Sequence, residues 1–353
     1  MKRMIVIAGP LPPPVHGASR VTAAVRDRLV RAGGSRGFGV IAVSTAGTEK
    51  TNSLQYHYRR LQAHAKVTLY LIFQRCRGFV VLYLGGAGGA GLWYQIALVG
   101  AARLLRCRVI FHHHSYSYLG DSRYRSIQAI CLLMGRSDTH ILLTPEMLTR
   151  FTQQYKTNSG AVACSNASLI EPVRAATRCV DDTYFRLIHV SNLSEAKGTD
   201  DVVNTFRLLR ERGIRVHLTL VGPVLDDKIG EQIEALADMH GDTFEFCGPM
   251  DSTGINAELD KAHLFLFPSK YKNEAQPMVV LEALSRGLPV LATARGALRT
   301  MLPTDWLIED VTELPRRVEE MQEPDWRWLS DRALASFVSA QALGVDVVNV
   351  VLR

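Results

Sequence analysis

The stretch "NEAQPMVVLEALSRGLPVLA", residues 273–292, sets one glutamate before a proline and a second inside an apolar helical run. Glu282 lies among Val279, Val280, Leu281, Ala283 and Leu284, where an ionised carboxylate is costly unless something meets it. Pro277 suits the first helical position, because the N–H it lacks is one the helix does not use there. Glu274 then falls just outside the helix N-terminus and Glu282 about a turn and a half inside it. A carboxylate accepts two hydroxyl hydrogen bonds at once, so such a pair can hold two polyol groups of one ligand, as in a sugar and a ribose.

Three other stretches carry chemistry. In "SNLSEAKGTDDVV", Ser191, Asn192 and Lys197-Gly198 precede a helix expected to begin near Thr199. A lysine beside a helix start, with a glycine leaving room for backbone, suits a diphosphate. In "FHHHSYSYL", His112 and His114 share one side of a strand end and His113 the other, with Ser115, Tyr116 and Tyr118 following. No carboxylate or cysteine stands nearby to complete a metal site, so substrate contact is favoured there, with at least one of the three a satisfied core histidine. In "GPLPPPVHGASR", His16-Gly17-Ala18-Ser19 open a helix whose N-terminus favours an anion; the spacing is not G-x-G-x-x-G, so the dinucleotide fingerprint is absent. Gly222-Pro223 and Gly248-Pro249 are turns that either only reverse the chain or line a nucleotide base.

The elements that must position these residues are short β-branched runs alternating with helical patterns, the signature of parallel sheets with crossover helices. Strands are expected at Met4–Ala8, Val40–Val43, Phe79–Leu84, Val109–His112, His140–Leu143 and Ala161–Cys164. After an irregular stretch near residues 167–183 they resume at Phe185–Val190, Val216–Val221, Phe244–Phe246, His263–Phe267, Pro289–Ala292 and near Trp306–Ile308. The fold class is therefore α/β: two Rossmann-like domains, 1–173 and 174–330, with a terminal helix in 331–353 expected to pack back on the first. Ligands of open α/β sheets bind beyond the carboxyl ends of the strands, which is where the residues above fall.

Bulk properties narrow the class. The 353 residues exceed what one core usually serves, and 47% hydrophobic with 21% charged is a globular balance. Six cysteines without a C-x-x-C pair or zinc spacing argue against a disulfide framework or structural metal, and fit a reducing cytoplasm. The apolar residues 78–100 are long enough to cross a bilayer, but their "GGAGGAG" reads as a turn between a buried strand and a helix starting near Leu92. The start "MKRMIVIAGPLPPP" reads as a strand and a proline-rich turn rather than a signal peptide. The net charge of +7 divides unevenly: residues 1–175 hold 22 Lys and Arg against 6 Asp and Glu, and the remainder 19 against 28. A strongly basic first half implies an anionic contact, such as a phospholipid surface or a phosphate-bearing substrate, and helix 53–74, mixing basic and aromatic residues, is the best candidate for it. No nucleic-acid-binding module is recognisable.

Glu274-x7-Glu282 in its strand–loop–helix setting, followed by "ALSRGLPVLAT", resembles the signature of retaining GT-B glycosyltransferases of family 4, and "SNLSEAKG" is similar to that family's G-R-L-x-x-x-K-G phosphate motif. "HGAS", "FHHHS" and "LLTPEML" occur in the family's order, so the resemblance covers nearly the whole chain. It implies two domains facing a cleft, an acceptor on the first and a UDP- or GDP-sugar on the second, with transfer to a saccharide or polyprenyl-diphosphate-linked acceptor in polysaccharide synthesis. By this resemblance Glu274 contacts donor-sugar hydroxyls, Glu282 the ribose and Lys197 the diphosphate. His114 lies near the reacting sugar, Gly17 near the diphosphate, Asn192, Gly222, Pro277 and Met278 around the donor, and His112 and Tyr116 beside the acceptor. No metal or other cofactor is implied, and the location is the cytoplasm, with docking on the inner face of the cell membrane. One departure stands out: the family's phosphate-binding arginine is Asn192 here, leaving Arg295, Arg286, Lys270 or Lys272 to replace its charge. "NEAQP" also stands where a glycine-rich donor loop is usual. A nucleotide-sugar 2-epimerase and a non-catalytic sugar-nucleotide-binding subunit are the alternatives.

Overall fold

The computed structural model describes residues 2–353 apart from 14, 16, 47–52, 87, 121, 172 and 174–182. His16 and most of the irregular stretch 167–183 therefore lie outside the described residues. The chain divides into two compact units, one formed by Met1–Leu169 with Leu343–Arg353 and the other by Ile170–Ala342.

The first unit runs β1 (Lys2–Gly9), α1 (Gly17–Ser35), β2 (Phe38–Ser44), α2 (Ser53–Arg75), β3 (Gly78–Gly86), α3 (Gly91–Leu104), β4 (Arg108–His113), α4 (Arg125–Leu133), β5 (Thr139–Leu142), α5 (Pro145–Gln154) and β6 (Gly160–Ala163). Its strands are parallel and ordered β2-β1-β3-β4-β5-β6. A sheet covered on both faces needs near-continuous apolar strands, and Ile5, Val6, Ile7 and the run Val80–Leu84 are fully buried. Residues 78–100 thus form a strand, a turn and most of a helix, as their glycines predict.

The second unit repeats the plan with β7 (Phe185–Val190), α6 (Thr199–Glu211), β8 (Val216–Val221), α7 (Asp227–His240), β9 (Phe244–Gly248), α8 (Ser252–Lys261), β10 (Leu264–Phe267), α9 (Met278–Ser285), β11 (Val290–Thr293), α10 (Leu298–Met301), β12 (Leu307–Ile308), α11 (Leu314–Glu320) and α12 (Trp326–Ala342). Its parallel strands are ordered β12-β11-β10-β7-β8-β9. All twelve strands fall where the sequence places them, with no end moved by more than two residues.

Two details differ from the sequence expectation. Pro277 precedes α9 rather than opening it: its ψ of 124° is extended, and its carbonyl accepts the Leu281 N–H at 3.3 Å. The segment 331–353 is not one helix. Its first part belongs to α12, which packs on α9 in the second unit, and the break around Gly344 leads into α13 (Val347–Leu352), which packs on α1 in the first.

In each sheet the order reverses once, between β1 and β3 and between β7 and β10. Neighbouring crossovers depart to opposite sides at such a point and leave a crevice at the strand ends. The loops after β7, β10 and β11, which hold Lys197, Glu274 and Arg295, leave three adjacent strands around the second reversal.

Candidate functional site

Three loops of the second unit touch through backbone. Gly198 has left-handed dihedrals (φ 72°, ψ 24°), and a Cβ on it would lie 2.2 Å from the Pro268 carbonyl oxygen. Only glycine permits that approach at that φ, and the adjacent Lys270 N–H closes it by donating to the Ala196 carbonyl at 3.0 Å. On the other side Gly296 (φ 48°) lies against the Glu274 carbonyl, where a Cβ would sit at 1.9 Å, and the Ala297 N–H donates to the same oxygen at 3.1 Å.

These contacts set Glu274 between the loops. Its Oε1 accepts the Ser269 hydroxyl at 2.8 Å and pairs with the Lys197 ammonium. Ser269 is fully buried and fixed in turn by the Thr293 hydroxyl, which donates to its carbonyl at 2.6 Å. The lysine lies near the faces of Phe267 and Tyr271, 5.8 and 5.3 Å from the ring centroids. Two residues expected to meet different parts of a ligand are thus each other's partner. A half-buried lysine paired with a buried carboxylate is held in place and presents its remaining donors in fixed directions.

His189, which sequence reasoning did not single out, organises the β7–α6 loop. Its Nδ1–H donates to the Leu266 carbonyl at 2.8 Å, which leaves Nε2 to accept from the Ser191 hydroxyl at 2.8 Å and to face Thr199 Oγ1 at 3.3 Å. Burial holds this imidazole at about 4, with Lys197 adding to the depression against the opposing Leu266 carbonyl. A histidine two residues before the "SN" turn is the only sequence signal for it.

The other residues that the sequence reading set around a donor lie in the same unit. Glu282 is buried on α9 at 8% exposure, Met278 opens that helix and is also buried, and Pro277 precedes it. Asn192 is half-buried, and its carbonyl accepts the Ser194 hydroxyl at 3.1 Å. Gly222 (φ 135°) abuts the Ser191 carbonyl, so packing already accounts for that glycine. Of the four cations weighed against Asn192, Lys270 bridges Asp200 and Asp201 at 2.8 Å each, and Arg286 pairs with Asn256 and Asp260. Lys272 is exposed. Arg295 is half-buried, with a buried Nε that has no hydrogen-bond partner among the described residues.

The first unit carries a histidine cluster on both faces of its sheet. His112 and His114 share a face with ring centroids 4.2 Å apart, and His113 points to the other, as the strand alternation predicts. His113 is the satisfied core histidine, sharing hydrogen bonds with Tyr118 at 2.8 Å and His140 at 3.0 Å. Tyr83 and His112 Nδ1 share one at 2.5 Å, while Nε2 of His112 and of His114 is buried without a partner among the described residues. Burial depresses His114 to about 4 and His140 to about 3. The Tyr116 hydroxyl donates to Glu146 at 3.0 Å, and burial with that carboxylate raises it to about 12. Gly17 opens α1, and a Cβ built there meets nothing within 4 Å, so the fold itself makes no demand for glycine at that position.

One grouping was not legible in the sequence. Glu245 and Cys247 on β9 and Glu258 on α8 bring three ligand-type atoms within 4.8 Å of one another at the sheet edge. Glu258 pairs with Lys261 at 2.6 Å, and burial and the two carboxylates push the Cys247 thiol up to about 12.

With the fold and these positions established, comparison with known proteins is informative. Residues 184–323 match the family model described as Glycosyl transferases group 1. An uncharacterized glycosyltransferase of Haemophilus influenzae is 22% identical over 184 residues, covering 52% of this chain and 49% of that protein. A putative colanic acid biosynthesis glycosyltransferase, WcaL, of Escherichia coli K12 is 27% identical over 157 residues, covering 40% of this chain and 37% of that protein. The chain thus spans about half or less of the curated relatives it matches. Among solved structures, sucrose-phosphate synthase from Thermosynechococcus elongatus superposes with a TM-score of 0.67 at 16% identity, over 100% of this chain and 97% of that one. Anabaena HepE in complex with UDP gives 0.66 at 16% identity, over 99% and 97%. Two six-stranded parallel sheets matched over the full length give the chain the GT-B fold.

Two predictions follow from this packing. Gly198→Ala should lose about 2 kcal/mol or more, since it adds both left-handed strain and a clash with backbone; a lower urea midpoint at unchanged slope reads this out. His114, His140 and His189 have folded pKa values below that of an unfolded histidine, so their stabilisation is complete above about pH 6.5 and is lost as pH falls toward 4. The melting temperature should therefore be flat above about pH 7 and drop between about pH 6.5 and 5, before most carboxylates titrate.

Proposed function

We propose that this protein is a retaining glycosyltransferase of family 4 that moves a sugar from a UDP- or GDP-sugar to a saccharide or polyprenyl-diphosphate-linked acceptor. The carrying observation is the Lys197–Glu274 pair, held by Ser269 beyond the ends of β7 and β10, with Glu282 buried on the helix that follows. The matched relatives are named as glycosyltransferases and HepE was solved with UDP, which supports a nucleotide-sugar donor.

In this reading Glu274 accepts hydroxyls of the donor sugar and Glu282 those of the ribose. Breaking the anomeric C–O bond gathers negative charge on the departing diphosphate. Lys197 meets that charge, and the first-turn amides of α9 beyond Pro277 and Met278, which have no intrahelical acceptor, serve it as well. Arg295 supplies the charge that Asn192 lacks. Lys270 and Arg286 are committed to carboxylates, Lys272 is solvated, and Arg295 keeps an unpaired buried Nε that a phosphate oxygen satisfies. Glu309, which interacts electrostatically with Arg295, gives both oxygens to Arg299. With the leaving group so met, no divalent ion and no carboxylate nucleophile is invoked, and the acceptor hydroxyl attacks from the face the diphosphate leaves. On the first unit, His112 and Tyr116 bind the acceptor, His114 Nε2 donates or accepts beside the reacting sugar, and Gly17 leaves backbone room for the diphosphate.

Thermal stabilisation by a panel of UDP-, GDP- and ADP-sugars identifies the donor. With that donor, Lys197→Ala should lower turnover about a hundredfold or more, and near-normal turnover would overturn the assignment. Arg295→Gln should cost about tenfold in affinity for the nucleoside diphosphate with little change for the nucleoside, as should Glu282→Gln for both. Turnover of a UDP-sugar to its epimer without acceptor would instead mark an epimerase, and donor binding without sugar release a non-catalytic subunit.

A further inference from the structure

The outer face of α2 has no role in the donor reading. Leu54, Tyr58, Leu61, Leu69, Ile72 and Phe73 are all exposed, Leu61 at 60% and Leu69 at 66%. Their spacing sets the first five within about 80° of one another around a helix of 3.6 residues per turn. His64, Val67, Leu71 and Gln74 form the opposite, buried face that packs on the sheet. The helix is therefore apolar on both sides, and only one side is covered by its own unit.

The surroundings of the stripe specify what covers it. Arg59 and Lys66 border it, and the Arg77 guanidinium stacks 3.6 Å from the centroid of the Phe73 ring. On the adjoining helix α3, Trp93 is 63% exposed. Between Glu49 and Asp121 the sequence has no acidic residue and nine lysines and arginines. A second copy of this chain seated on the same face would bring like charges together with no carboxylate between them. An anionic lipid surface satisfies both parts: acyl chains take the leucines, headgroups take the arginines and lysines, and tyrosine and tryptophan favour the boundary.

We infer that the exposed face of α2, with Trp93, docks the first unit in the plane of an anionic bilayer, aligned with the headgroup boundary. The stripe runs about 28 Å, from the 19-residue separation of Leu54 and Phe73 at 1.5 Å per residue, so the whole helix lies on the membrane rather than inserting an end. The inference concerns the first unit alone and stands whether or not the donor reading of the second unit holds.

The test is vesicle flotation of the full chain with phosphatidylcholine alone and with phosphatidylcholine containing phosphatidylglycerol. The wild type should float with the anionic vesicles and not with the neutral ones, and added salt should weaken its binding. Leu61→Glu with Leu69→Glu, both on exposed positions, should cut the bound fraction about tenfold or more, and Arg59→Gln with Lys66→Gln should do likewise. Unchanged thermal melting of each variant establishes that its fold persists. A wild type that stays unbound, or a Leu61→Glu, Leu69→Glu variant that floats like the wild type, overturns the inference. A wild-type dimer that the same leucine changes convert to monomer assigns the stripe to a second copy instead.

Discussion

The site of the second unit depends on chain segments meeting closer than any side chain permits. Where Gly198 meets the Pro268 carbonyl and Gly296 the Glu274 carbonyl, a single methyl group would force the loops apart. That contact determines where Lys197 and Glu274 stand, because each is the neighbour of a pinned position. The pair is then a consequence of backbone packing, and its charge is placed before any ligand arrives. Preorganisation of this kind removes the cost of orienting donors when charge develops.

Electrostatics in the same unit follow a division of labour. Lys270 and Arg286 are spent on Asp200, Asp201 and Asp260, which ties loops and helices together. Lys197 and Arg295 are differently placed, one paired to Glu274 and the other carrying a buried nitrogen without a hydrogen-bond partner among the described residues. Burial keeps His189 neutral, with Lys197 adding to the effect, although its Nδ1–H bond to the Leu266 carbonyl acts in the opposite direction.

The first unit spends its unusual residues in two places. The histidines at the end of β4 are stripped of water and kept neutral, and Nε2 of His112 and of His114 is buried without a partner among the described residues. The outer face of α2 keeps its leucines and aromatics in water, where they cost free energy unless something covers them.

The sequence alone determined the α/β class, the twelve strands and the positions of Lys197, Glu274 and Glu282 relative to strand ends, because those rest on local periodicity and on helix-start chemistry. The alternation of His112, His113 and His114 was legible for the same reason. Tertiary structure decided the rest. Ser269 and His189 matter only because distant loops fold onto them. The Lys197–Glu274 pair joins residues 77 apart. Which lysine or arginine of this unit is tied to a carboxylate depends on which acidic residue each one reaches, and no spacing rule encodes that. The same holds for α2: its sequence sets apolar residues on two sides of the helix among basic ones, and only packing against one sheet face showed which stripe remains exposed.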